Sequence, residues 1–330
     1  MSITAMEQDT VTTSSDKVDV VHHDGLEKQL TVEPLPEALR LEAGVLMNID
    51  TNAGTSLRLA ANGHTVLIPQ PTDDPDDPLN WSAAKKHTVL LTIAWGALVA
   101  DFTSAAGSAP IFLQAGEWEK SVSQINQTNS INVLMMALGS LVWVPMTSYI
   151  GRAPTLFWSS IMACAFSIGA VLSPNYTCFY AMRALTGINA TSAQTISIAF
   201  IRDMFFLHER ARKIGLWAAL YISSPYLGPL LGNFVLGGNG TWQDVYWLSV
   251  GVCGIDLVLI AVFLDETWYN RTVHRAAQPP RGRGVLARMA RLTGTWQLRH
   301  RRPYFTSVST AYRKLFITLT KPTIFLVLLA

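Results

Sequence analysis

Three charged side chains lie inside long apolar stretches: Asp101, Arg183 and Asp256. A charge in hydrocarbon costs about 2.5–3.5 kcal/mol on insertion scales, so each asks for a reason. Asp101 stands midway along the stretch 88–110, among Gly96, Thr103, Ser104 and Gly107. Small and polar neighbours suit a helix that lines water rather than lipid. A carboxylate there could take up a proton or attract a cationic solute, or it could serve as a plain helix-to-helix hydrogen-bond acceptor. Arg183 lies in the outer part of the stretch 178–200, where an acid such as Asp101 or backbone carbonyls could hold it. Asp256, within 244–264, reads as the partner of a polar residue on a neighbouring span.

A second group of residues has mechanical rather than chemical weight. Gly228 and Gly232 are spaced to let another helix approach closely, and Pro229 between them removes a backbone donor and bends its span. Enzyme chemistry is not expected. The chain has no HExxH, no paired His clusters, no nucleophile elbow and no phosphate loop, so neither a metal nor a cofactor is expected. The three cysteines, Cys164, Cys178 and Cys253, fall in or beside apolar runs and read as small packing residues.

The elements that must position these groups are apolar helices. Of 330 residues 49% are hydrophobic and 15% charged, with mean hydropathy +0.25. Soluble domains carry about 25% charged residues. Stretches at 88–110, 127–148, 155–173, 178–200, 214–236 and 244–264 each approach the roughly 20 residues a bilayer core requires. A seventh begins near Thr318. The net charge of +2 hides a strong asymmetry, since 14 of the 23 acidic residues precede Trp81 and 12 of the 25 basic residues lie from Arg271 onward. Residues 1–80 read as a disordered acidic tail, 81–267 as a six-span bundle, 268–317 as a basic linker and 318–330 as the start of the seventh span.

Basic residues set the orientation. Alternate loops hold Lys85 and Lys86, then Arg152, then Arg202, Arg210, Arg212 and Lys213, then the run from Arg271 to Lys314; the others hold only Lys120. The first set is expected to be cytoplasmic, with the N-terminus inside. Sequons at Asn175 and Asn239 fall on the opposite side, and Trp118, Tyr176, Trp242, Tyr246 and Trp247 collect at that outer interface. The linker's basic residues would face anionic lipid or simply fix topology. Nucleic acid is not an expected partner, because the linker has no fold of its own and is tethered at a membrane.

Local motifs sharpen this plan. The stretch from Gly139 through Pro145 to Gly151-Arg152 resembles the signature between spans two and three of the major facilitator superfamily, with Ser148, Tyr149 and Ala153 departing from its charged pattern. Arg183 followed by Gly187 resembles the fourth-span pattern, and Gly228-Pro229 with Gly232 resembles the fifth-span motif of proton antiporters. Glu209-Arg210 with Gly215, and Asp265-Glu266-Thr267, resemble the entry to span five and the exit from span six. Asp73 to Ser82 looks like the pre-span segment of fungal drug:proton antiporters. The resemblance covers residues 73–330.

What the resemblance implies is an all-α membrane protein, a six-helix N-terminal bundle with the start of a seventh span. It would be a proton-coupled secondary transporter of small organic cations or drug-like solutes, working by alternating access. Asp101 and Arg183 would serve substrate binding or proton coupling. Gly139, Pro145, Gly151, Arg152, Gly187, Gly228, Pro229 and Gly232 would form the gate and its structural motifs, the bend at Pro229 sealing against proton leak. The expected partners are a small solute, protons and the lipid bilayer, with a second half or a second copy completing the cavity. The plasma membrane is the expected site, and a non-transporting fragment or regulatory half-transporter is the alternative.

Overall fold

A computed structural model describes residues 67–271, 281–282, 284–300 and 308–321, and every regular element among them is helical. After a 3-10 turn at Pro78–Asn80 come α1 (Ala83–Ala106), α2 (Ile111–Glu117), α3 (Val122–Ile150) and α4 (Arg152–Val171). Next are α5 (Tyr176–Ala190), α6 (Ser192–Met204), α7 (Leu207–Asn239) and α8 (Trp242–Phe263). The linker region holds α9 (Val285–Thr293), α10 (Thr295–Arg299) and α11 (Val308–Leu319). Polar residues start several of these helices. Ser82 accepts from the Lys85 N–H, Ser121 and Gln124 form a capping box, and Asn175 accepts from Cys178. Each satisfies amide donors that a helix start leaves free.

Five described helices are long and apolar enough to cross a membrane: α1, α3, α4, α7 and α8. The stretch expected as one span at 178–200 is divided, with Thr191 ending α5 and opening α6. Thr191 keeps helical angles, φ −64° and ψ −18°, so the axis is not broken sharply. The cause is visible in the ladder. The indole of Trp143 on α3 donates to the Ile188 carbonyl at 2.9 Å. That carbonyl is the one a continuous helix would offer to the Ser192 N–H, and a side chain entering the ladder interrupts it.

Helix α1 is the packing centre. Val89, Leu90, Ile93, Ala94, Ala97 and Phe102 are buried, against α6, α7 and α8. By contrast α3 shows Val133, Leu134, Leu138 and Leu141 on its surface, and α7 shows Ile222, Tyr226, Leu230 and Phe234. Apolar faces turned outward are what lipid contact requires. Inside a bilayer, close packing and interhelical hydrogen bonds hold helices together.

Of the segment 1–80, residues 1–66 lie outside the described region, and residues 67–80 are folded onto the bundle. Asp77 is fully buried, accepts from Leu79 N–H at 3.0 Å and pairs with Arg271 at 3.0 Å. The expected seventh span falls mostly outside the described residues. Helix α11 reaches Leu319, with the Tyr312 hydroxyl donating to the Val142 carbonyl at 3.0 Å.

Candidate functional site

The small residues around Asp101 turn toward other helices, not toward water. Gly96 faces Asp256 and Ala193; Gly107 faces Asn129, Tyr246 and Arg183. Beyond its first two turns, the positions of α1 that remain open are Leu91, Trp95, Asp101 and Ala105. Asp101 is half-buried, with Gln194 of α6 and Tyr221 of α7 as polar neighbours. The Tyr221 ring stacks on Trp217 at 5.4 Å. Expectation and structure differ here for a packing reason: small side chains let α1 sit in the middle of the bundle, and only one face escapes.

Arg183 is 2% exposed, and its partners are backbone carbonyls rather than a carboxylate. Its two terminal nitrogens donate to Thr103 O and Ser104 O, each at 2.9 Å, and one also reaches Asn129 Oδ1 at 3.0 Å. The Tyr246 ring lies 5.5 Å from the guanidinium. Thr103 to Ala106 are the last four residues of α1, whose carbonyls lack intrahelical donors. Arg183 takes the first two, Gly107 and Ser108 N–H take Ala105 O, and Ala109 N–H takes Ala106 O. A cation at this end also meets the negative pole of the helix dipole. Arg183 therefore bolts α5 to the end of α1, and it does not pair with Asp101.

Glycines set the approach of three helices. A Cβ on Gly187 would stand 2.3 Å from Asn132 O, and one on Gly139 would stand 2.2 Å from Ile188 O. The amide of Asn132 donates to Arg183 O at 2.7 Å across the same contact. On α7, a Gly228 Cβ would lie 2.7 Å from Phe102 O, and a Gly232 Cβ 3.1 Å from the Ala109 Cβ. Pro229 is half-buried between them, and α7 runs on through both Pro225 and Pro229.

At the other end of α1 lies a charged network that the sequence reading only half saw. Gly151, at φ +95°, closes α3 and opens α4, and a Cβ there would meet Glu266 Oε2 at 2.3 Å. Helix α4 has no side-chain cap of its own. Glu266, fully buried after α8, supplies it, accepting from Arg152 N–H at 3.3 Å and Ala153 N–H at 3.2 Å. Arg152 forms an ion pair with Asp203 of α6 and donates to Ala199 O at 3.1 Å. Pro145 is buried in the last turns of α3. The linker joins in. Arg291 of α9 grips Asp265 at 2.9 and 3.1 Å, and Gln297 of α10 donates to Glu266 Oε2 at 3.1 Å.

Asp265 also pairs with Lys85 at 3.3 Å. Burial alone would push its carboxyl up, but the Arg291 hydrogen bonds and charge, with Lys85, outweigh it and hold the carboxyl below its ordinary value. Asp203, Arg291 and Gln297 are network residues that were not singled out in the sequence, and Asp265 and Glu266 were named there only as part of the span-six exit motif. The signal for them was available: carboxylates next to the predicted cytoplasmic ends of spans, opposite a loop lacking its acid at Ser148. At the far end of the bundle, Trp118, Phe179, Trp242 and Tyr246 pack ring on ring, and Trp242 Nε1 donates to Glu117 at 2.6 Å. Trp242 and Tyr246 are buried in that cluster, and Trp247 is the exposed ring.

Known proteins resemble this chain in sequence. A family model described as Major Facilitator Superfamily matches residues 88–329. An uncharacterized MFS-type transporter of Schizosaccharomyces pombe is 30% identical over 64% of this chain and 36% of its own length. The MFS antiporter QDR3 of Candida albicans is 30% identical over 61% of this chain and 28% of its own. The multidrug transporter FLR2 of Candida glabrata is 28% identical over 67% and 36%. The chain thus spans about a third of the length of these relatives. A crystal structure of the human organic anion transporter MFSD10 covers 69% of this chain and 60% of its own, at 16% identity and TM-score 0.44.

Proposed function

The chain belongs to the Major Facilitator Superfamily, and from that premise we propose that it forms one half of a proton-coupled secondary transporter for small organic cations or drug-like solutes. The observation that carries this reading is the open face of α1. This helix is the most enclosed of the five described spans, yet in its C-terminal third it leaves a carboxylate half-buried with no ion-pair partner among the described residues. A deprotonated Asp101 would attract a cationic solute, and a proton taken up there would cancel the attraction and release it. Competition of this kind couples proton and solute movement in opposite directions.

Arg183 contributes by holding the end of α1 against α5, so that Asp101 moves with a rigid unit. The Gly139–Ile188, Gly187–Asn132 and Gly228–Phe102 contacts serve the same rigidity, as alternating access by rocking of one bundle requires. The network around Gly151, Arg152 and Glu266 is read as the inner latch, cytoplasmic like the N-terminus, in a multi-pass protein of the plasma membrane. Residues 81–267 make the bundle and 268–317 its linker. The opposite wall of the solute path comes from a second half or from a second copy of the chain.

The test is flux of a fluorescent lipophilic cation, rhodamine 6G, into or out of liposomes carrying the chain, driven by an imposed pH gradient. Asp101→Asn is expected to abolish pH-driven flux while membrane insertion and helicity persist, and Asp101→Glu to retain part of it. Unchanged flux in Asp101→Asn would remove this residue from the mechanism.

A further inference from the structure

Between α1, α4, α5, α6 and α8 lies a cavity that the transport reading does not use. It holds about 20 Å³ in which a water can sit, room for a single molecule. Gly96, Thr103, Ser160, Thr186, Ala193 and Asp256 are among the residues that line it. Asp256 is 4% exposed, and its Oδ1 has no hydrogen-bond partner. Gly96 makes the space, since a Cβ there would stand 3.1 Å from that oxygen and 3.2 Å from the Ala193 Cβ.

The groups facing Asp256 carry no positive charge. From α4 come the Ser160 hydroxyl and the Cys164 thiol, and from its own helix the Cys253 thiol. On α1 the nearest charged residue, Asp101, looks toward Gln194 and Tyr221 instead. On α5 Arg183 is committed to the end of α1, and on α6 Asp203 is committed to Arg152. A carboxylate without countercharge in a low-dielectric wall is costly, and protonation removes that cost. A metal cation would demand several converging oxygens. Thr103 and Thr186 already donate to the carbonyls of Ala100 and Met182 in their own helices.

We propose that Asp256 and this cavity form a proton-binding site separate from Asp101, with the carboxyl O–H and the free Oδ1 partnered by one water. Release is a simple dissociation: the carboxyl O–H breaks, the water takes the proton, and the carboxylate is left behind. Thr191, where α5 gives way to α6, lies between the lining residues Ala190 and Ala193, so loosening of that junction would open the cavity. The protonation stands apart from the transport reading; only its use in coupling rests on it.

Infrared pH-difference spectra of the purified chain in lipid bilayers test it directly. A protonated-carboxyl stretch that disappears as pH rises above the ordinary carboxylate range is expected. It should be lost in Asp256→Asn, kept in Asp101→Asn, shifted in Asp256→Glu, and insensitive to sodium at fixed pH. If Asp256→Asn misfolds, Gly96→Ala, which presses on Oδ1, should still move the band. A band untouched by both Asp256→Asn and Gly96→Ala, no band titrating above pH 5, or a proton displaced by sodium would each overturn the proposal. An intact band with no pH-driven flux would instead count against the transport reading alone.

Discussion

A buried guanidinium with no carboxylate beside it has to be stabilised by dipoles, and Arg183 shows how. Two carbonyls from the last turn of α1 and one amide oxygen converge on its fork at 2.9, 2.9 and 3.0 Å. Lysine offers a point charge with no planar fork, so it cannot meet three acceptors arranged this way. Arg183→Lys should therefore cost about 2 kcal/mol, in line with the loss of one hydrogen bond to a charged group. Thermal unfolding in detergent, followed by tryptophan fluorescence, reads this as a lower midpoint; an unchanged midpoint would mean the fork is not needed. The need for partners could be read from the sequence, because an arginine at that depth must have some. Which partners could not, since carbonyls at a helix end leave no mark in residue identity.

Helix-level packing was more legible at glycines than at the span boundaries. Gly228 and Gly232 stand out by their spacing, and both do meet a close neighbour: Gly228 faces α1, and Gly232 faces Ala109 just past it and Val245 of α8. The division of the 178–200 stretch at Thr191 has no local signature. Its cause is Trp143, distant in sequence, whose indole removes one rung of the ladder. The network around Gly151 was hidden for a similar reason, because the cap of α4 comes from Glu266, over a hundred residues on. Two predictions belong at this scale. Gly139→Ala and Gly187→Ala each drive a Cβ to within 2.3 Å of a backbone carbonyl, so each should destabilise by about 1–3 kcal/mol through overpacking. Gly215→Ala, with nothing within 4 Å, should be neutral or gain up to about 1 kcal/mol from helix propensity. Unfolding midpoints of the three variants decide it, and equal shifts would refute the contact argument.

The second concerns the latch between α9 and the end of α8. The folded Asp265 carboxyl is held below its ordinary value of 3.8. Its pair with Arg291 therefore stabilises the fold fully above that value and is lost as pH falls through the folded one. The midpoint gap between the native chain and Asp265→Asn should be widest near neutral pH, about 3 kcal/mol for a largely buried pair. Acidification should close it, and a gap that stays constant with pH would show that Asp265 is not charged in the fold.

At the scale of the whole bundle, the question is which end faces which compartment, and α1 settles how to ask it. Its 24 residues make a rod of about 36 Å, longer than the roughly 30 Å hydrocarbon core. Its two ends must then lie on opposite sides of the membrane. One end gathers Lys85, Arg152, Arg271 and Arg291 with their carboxylates; the other gathers Glu117 and the Trp118–Trp242 rings. Positive charge favours the cytoplasmic side, so Ala84→Cys should sit inside and Lys120→Cys outside, both at exposed positions. In a background with Cys178→Ser, which leaves only the buried Cys164 and Cys253, a membrane-impermeant maleimide should label Lys120→Cys on intact cells. Ala84→Cys should react only after permeabilisation. Labelling of Ala84→Cys on intact cells would invert the bundle and place the Arg152–Glu266 latch on the outer face, where the basic residues around it could not act as topology signals.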